Sequence, residues 1–123
     1  MARILVIDDD PEIRETVRRI LASRGHTVEL AQDGKVGIAA LAQHVPDLVI
    51  TDVFMPDQDG IETIIELRKA FPNLRVIAMS GGSTGGLMSL LDDMEAFGAN
   101  ATLPKPFTPK ELIAAVNSVL GRP

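Results

Sequence analysis

Five short β-branched runs recur along the chain at a nearly constant interval, and that cadence limits the fold more than any other feature. They occupy residues 3–7, 27–31, 48–51, 75–79 and, more weakly, 101–103; their starts at 3, 27, 48, 75 and 101 are 24, 21, 27 and 26 residues apart. Runs of this length and composition form strands. Each interval has room for one helix and two short connections, as a crossover between parallel strands requires. The first interval shows the pattern clearly. Ile13, Val17, Ile20 and Leu21 fall on one helical face, and Arg14, Arg18 and Arg19 lie away from it. Asp10 suits the N-cap, Pro11 the first helical position and Gly25 the exit. The last helix opens on Thr108-Pro109-Lys110-Glu111, a capping-box spacing, and carries Leu112, Ile113, Val116, Val119 and Leu120. Less regular patterns predict helices over about residues 34–44, 60–71 and 85–97.

This alternation reads as a doubly wound α/β domain: five parallel strands with five helices covering both faces of the sheet. The five units share a period but not residues, and they use nearly all of the 123 residues. A single domain over residues 1–123, with no output domain in this chain, is therefore the expectation. Composition narrows the function classes. The chain has 12 basic and 17 acidic residues for a net charge of −5, no tryptophan, no tyrosine and four phenylalanines, a poor set for holding nucleic acid by charge or stacking. Without cysteine, disulfides and thiolate metal sites are excluded, and a cytoplasmic location is expected. Ile4-Leu5-Val6-Ile7 and Val76-Ile77-Ala78-Met79, the longest apolar runs, are too short to cross a bilayer, and Met1-Ala2-Arg3 leads into acids rather than a signal peptide.

In open parallel sheets, functional groups collect at the carboxyl ends of the strands. Here those ends carry Asp8, Asp9 and Asp10 after the first run, Asp52 after the third, Ser80 after the fourth and Lys105 after the fifth. The second ends in Gln32-Asp33, where Asp33 reads as a helix cap, and Asp10 before Pro11 reads the same way. Asp8, Asp9 and Asp52 remain as three carboxylates at one rim. Such a cluster is unfavourable without a positive partner, and an all-oxygen set suits a hard divalent cation such as Mg²⁺. Lys105, held between Pro104 and Pro106, supplies an ammonium, and Ser80 a hydroxyl. Metal, carboxylate, hydroxyl and ammonium are the parts that phosphoryl transfer uses.

The chain resembles the receiver domains of two-component response regulators, the family of the single-domain chemotaxis regulator. The motifs that carry the likeness span the chain in the family's order: Ile4-Leu5-Val6-Ile7-Asp8-Asp9-Asp10, Asp52-Val53-Phe54-Met55-Pro56-Asp57-Gln58-Asp59-Gly60, Val76-Ile77-Ala78-Met79-Ser80 and Lys105-Pro106-Phe107. The resemblance implies a flavodoxin-like sheet of order 2-1-3-4-5. It implies that Asp52 accepts a phosphoryl group from a phosphohistidine on a histidine kinase or phosphotransfer protein. Asp9, Asp52 and the backbone carbonyl of Phe54 would bind Mg²⁺, with Asp8 acting through water. Ser80 and Lys105 would hold the phosphoryl oxygens, and the Lys105–Pro106 peptide would be cis. Output would pass to a downstream protein target or to an output domain of a longer chain, with a phosphorylation-dependent homodimer as a further form. The only chemistry implied is the domain's own phosphorylation and dephosphorylation, so no turnover enzyme is expected.

Some positions depart from the family pattern. Thr102 stands where the family usually carries an aromatic, so coupling of Ser80 to a rotating ring is not expected. Ser80-Gly81-Gly82-Ser83-Thr84-Gly85-Gly86 lacks the Gly-Lys-Ser/Thr ending of a phosphate loop and reads as a mobile connection. Phe54 reads either as bulk that slows hydrolysis of the phosphoryl group or as a half-exposed aromatic of no consequence. Arg14, Arg18 and Arg19 read either as a docking face for the kinase or as a solvated basic face. The fourth helix, with Asp92, Asp93 and Glu95, belongs to the face this family commonly uses for output. His26 and His44 read as surface residues near helix ends. Two rivals keep the same topology or chemistry. A Mg²⁺-dependent phosphatase of the haloacid-dehalogenase type would use Asp8 as nucleophile, and a flavodoxin-like cofactor binder would want small residues where three acids stand.

Overall fold

Each of the five runs becomes a strand that begins where the sequence pattern places it. The structure, a computed structural model, describes residues 2–55, 58–80 and 98–121. Along the chain these form β1 (Arg3–Ile7), α1 (Pro11–Ala22), β2 (Thr27–Ala31), α2 (Gly34–Gln43), β3 (Leu48–Asp52), the two-residue strands β4 (Phe54–Met55) and β5 (Gln58–Asp59), α3 (Gly60–Ala70), β6 (Arg75–Ser80), β7 (Ala101–Pro104) and α4 (Pro109–Leu120). The five longer strands make one parallel sheet in the order β2-β1-β3-β6-β7. Counted along the chain, that is the expected 2-1-3-4-5. The switch in strand order falls between β1 and β3, so the ends carrying Asp8 and Asp52 are neighbours.

Alternation along the strands divides the interior into two cores. Ile4 and Val6 of β1, Leu48 and Ile50 of β3, and Ile77 and Met79 of β6 pack with Val17 and Leu21 of α1 and Leu112 and Val116 of α4. Leu5 and Ile7, Val49, and Val76 and Ala78 face the other way, onto Leu41 of α2 and Ile64 and Leu67 of α3. Buried on both sides, these strands read as unbroken apolar runs. On the second face, α2 comes very close to β1: a Cβ built on Gly37 would lie 2.5 Å from Cδ1 of Ile7.

Helix ends follow the chemistry of the residues that bound them. Asp10 accepts from the amide of Glu12 at 2.9 Å, and Asp33 from that of Val36 at 2.8 Å. Thr108 and Glu111 close a reciprocal capping box. Gly121 ends α4 at a φ of 73°, a conformation glycine adopts without a Cβ clash. The antiparallel pair β4–β5 was not foreseen in the sequence. The expected helix over residues 85–97, with Asp92, Asp93 and Glu95, and the glycine-rich run lie outside the described residues.

The surface reading of His26 is corrected. It is buried, and its Nδ1 accepts the backbone N–H of Ala2 at 3.1 Å. After α1 the chain folds back so that the amide of His26 reaches Leu21 and that of Thr27 reaches Ala2, which draws the imidazole beneath the start of β1. His44 is exposed, as expected.

Candidate functional site: an acidic pocket bridged by Lys105

Asp8 follows β1 directly and is fully buried, and Asp52, the last residue of β3, is only 4% exposed. The parallel β1–β3 register pairs Ile7 with Thr51, which brings the two aspartates side by side at the sheet's carboxyl edge. Asp9 is exposed at the same edge. One carboxylate oxygen from each of Asp8, Asp9 and Asp52 lies within 4.8 Å of the others.

Lys105 enters from the connection after β7, where the Lys105–Pro106 peptide is cis as expected. Its Nζ donates to Oδ2 of Asp8 at 2.7 Å and to Oδ2 of Asp52 at 3.3 Å. Burial disfavours its charge, but the hydrogen bond to Asp8 and the charges of Asp52 and Asp8 outweigh that and hold its pKa above the ordinary lysine value. Asp8 is held further by the amide of Asp10, which donates to Oδ1 at 2.9 Å, and by its own amide, which reaches the carbonyl of Ala31 at 3.1 Å. With three carboxylates and one ammonium, the pocket keeps a formal charge of −2. An oxygen-only set carrying that charge fits a hard divalent cation such as Mg²⁺.

Of the other expected site residues, Ser80 closes β6 in register with Pro104, and Phe54 opens β4, where it pairs with Asp59. Both lie at the same end of the sheet as the acids. Thr102 sits in β7 opposite Ala78 and is half-buried.

The three arginines of α1 part company. Arg18 and Arg19 both pair with Glu15. Arg14 turns inward and donates to the carbonyl of Asp8 at 2.7 Å. Sequence reasoning missed this contact because its acceptor is a backbone oxygen, which carries no residue signature. An apolar cleft of about 330 Å³ runs beside Lys105, lined by Ile13, Thr16, Val17, Pro106 and Phe107. A larger hollow of about 490 Å³ lies at the opposite ends of the strands, among residues 45–47 and 70–75, away from the acids.

Comparison with known proteins agrees with this geometry. The family model described as response regulator receiver domain matches residues 4–117. The chain is 39% identical over 120 residues to response regulator MprA of Mycolicibacterium vanbaalenii, covering 98% of this chain and 51% of that protein. It thus spans about half the length of the curated relatives it matches. Among solved structures, the receiver domain of NtrX from Brucella abortus superposes with a TM-score of 0.89 at 32% identity, covering 96% of this chain and 98% of that one. The chemotaxis protein CheY4 of Vibrio cholerae superposes with a TM-score of 0.86 at 29% identity, over 97% and 98% of the two chains.

Proposed function

The chain belongs to the family of response regulator receiver domains, and from that premise we propose that it is the phosphoacceptor of a two-component signalling system, phosphorylated on Asp52. The observation that carries the reading is the shared ammonium: Lys105 bridges Asp52 and Asp8 within one cluster of carboxylate oxygens. In this reading an oxygen of Asp52 attacks the phosphorus of a phosphohistidine on a histidine kinase or phosphotransfer protein. The O–P bond forms as the P–N bond breaks, and the electron pair returns to the imidazole, which takes up a proton.

Little covalent work falls to the protein in such a transfer; positioning and charge neutralisation supply most of the acceleration. Lys105 exchanges its contact with Asp52 for the phosphoryl oxygens, and the Ser80 hydroxyl donates to the same oxygens. Asp9, Asp52 and the backbone carbonyl of Phe54 would hold Mg²⁺, with Asp8 acting through water, and the bound ion would supply the remaining neutralising charge. Phe54, two residues past Asp52 in the sequence, is the residue whose bulk would slow hydrolysis of the acyl phosphate.

The product adds up to about two negative charges at the end of β3, enough to redirect Lys105 and Ser80 and through them the neighbouring loops. Output then passes by protein contact, to a downstream target, to an output domain or to a second copy of the chain, in the cytoplasm and without direct nucleic-acid binding by this domain. The chemistry is confined to the domain's own aspartate. The rival in which Asp8 is the nucleophile fits less well: the family model that matches residues 4–117 is that of receiver domains, in which the resemblance makes Asp52 the acceptor.

Beryllofluoride mimics a phosphoryl group on a carboxylate, and fluorine NMR follows it. A Mg²⁺-dependent bound signal is expected for wild type and for none of the Asp52→Asn protein. A bound signal that survives Asp52→Asn and disappears in Asp8→Asn would favour the rival.

A further inference from the structure

Helical spacing alone would set Arg14 among the outward basic residues of α1, yet it is half-buried and bonded to the carbonyl of Asp8. That contact completes the anchoring of Asp8. Its amide donates to Ala31, its carbonyl accepts from Arg14, Oδ1 accepts from the amide of Asp10, and Oδ2 accepts from Lys105. The carbonyl of Asp10 in turn accepts the amide of Arg14 at 3.1 Å, the first bond of the helix. Arg14 therefore touches the turn on both sides of Asp9, by its side chain at Asp8 and by its backbone at Asp10. Asp9 is the one exposed member of the oxygen cluster, so its direction depends most on how firmly its two peptides are held.

We propose that Arg14 is a positioning residue for the cation site: by clamping the Asp8 carbonyl it fixes the peptide from which Asp9 reaches the cluster and so raises affinity for Mg²⁺. The inference rests on reading the acidic cluster as a Mg²⁺ site. A guanidinium also repels a nearby cation, which opposes the positioning effect. Arg14→Lys separates the two, because it keeps the charge and loses the guanidinium fork, while 1 M salt weakens the part of the repulsion that passes through solvent. Groups that orient metal ligands through hydrogen bonds typically change metal affinity by about 10- to 100-fold. The lower end applies to Mg²⁺, which keeps several of its waters.

The test is a Mg²⁺ titration in 1 M KCl of wild type, Arg14→Met and Arg14→Lys. It is followed by the amide resonances of Asp9 and Asp10 and by the rate of phosphorylation from acetyl phosphate. For Arg14→Met the half-saturating Mg²⁺ concentration should rise about tenfold, with the rate at saturating Mg²⁺ kept within about twofold of wild type. Arg14→Lys, which keeps the charge and a single donor, should fall between them. A half-saturating concentration unchanged or lowered in Arg14→Met overturns the proposal, and so does a loss confined to the saturated rate. Should Arg14→Met fail to fold, Arg14→Lys decides: a weakened Mg²⁺ response supports the clamp, and a wild-type response overturns it. Wild-type protein that gives no Mg²⁺ response would instead remove the cation-site reading, and this proposal with it.

Discussion

Lys105 shows how a single side chain makes an otherwise costly arrangement stable. Asp8 and Asp52 sit buried beside one another, and a buried carboxylate without a partner charge is expensive. Replacing Lys105 by methionine keeps the volume and removes the ammonium. We expect this to lower stability by about 3 kcal/mol in Mg²⁺-free urea titrations, with much of the loss recovered on adding Mg²⁺. Recovery follows because the ion would bind the same oxygens. Since the folded-state pKa of Lys105 is raised, its contribution is complete below the ordinary value of 10.5. It is lost only as pH rises through the still higher folded value, so Lys105 itself brings no pH dependence near neutrality. Glu15 gives the opposite case on the surface. The hydrogen bond from Arg18, helped by Arg19, lowers its carboxyl pKa from 4.5 to about 2. Its contribution is present above pH 4.5 and is lost as pH falls toward 2. Glu15→Gln should therefore flatten that part of the acid limb of thermal stability, and an NMR titration of Glu15 should place its midpoint well below that of an exposed glutamate.

Between elements, Arg68 is a heavily used side chain. From α3 its guanidinium donates to the carbonyls of Pro72, Leu74 and Gly98 and to Oδ1 of Asn100, and that same oxygen accepts the amide of Val76 at 2.8 Å. One planar fork thus ties the exit of α3, the start of β6 and the approach to β7. Lysine carries the charge but cannot satisfy acceptors in several directions. Arg68→Lys should cost about 2–3 kcal/mol in urea denaturation, nearly as much as Arg68→Met, because carbonyls are left unpaired in both. Recovery of most of the stability by lysine would show that charge, rather than the fork, matters. The same elements mark what a sequence can reveal. The five strands were legible because burial on both faces leaves continuous apolar runs, and α1, α2 and α4 because Asp10, Asp33 and Thr108 announce their starts. The β4–β5 pair was not, since two residues per strand carry no periodicity. Neither were the contacts of Arg14, Arg68 and His26, whose partners, backbone groups and for Arg68 also the Asn100 side chain, are brought close only by the fold. The site residues themselves were legible because a parallel sheet delivers strand-end residues to one edge. The closer hold of Lys105 on Asp8 than on Asp52 was not.

Across the whole molecule, the two faces of the sheet do different work from its edges. Two apolar cores, one under α1 and α4 and the other under α2 and α3, fix the strand ends rigidly. The carboxyl ends of β1, β3, β6 and β7 then bring Asp8, Asp9, Asp52, Ser80 and Lys105 to one rim. No helix among the described residues is long and apolar enough to cross a membrane. A sheet packed on both faces with a charged rim suits the proposed switch, in which an added charge at Asp52 would move what surrounds it while the sheet holds its shape. The central claim is that Asp52 is the atom-accepting residue, and intact-protein mass spectrometry after incubation with acetyl phosphate and Mg²⁺ tests it most directly. The account predicts a gain of one phosphoryl group in wild type, its loss on removal of Mg²⁺, and no gain in Asp52→Asn. An unmodified wild-type mass, or a phosphoryl group that still appears on Asp52→Asn, would contradict it.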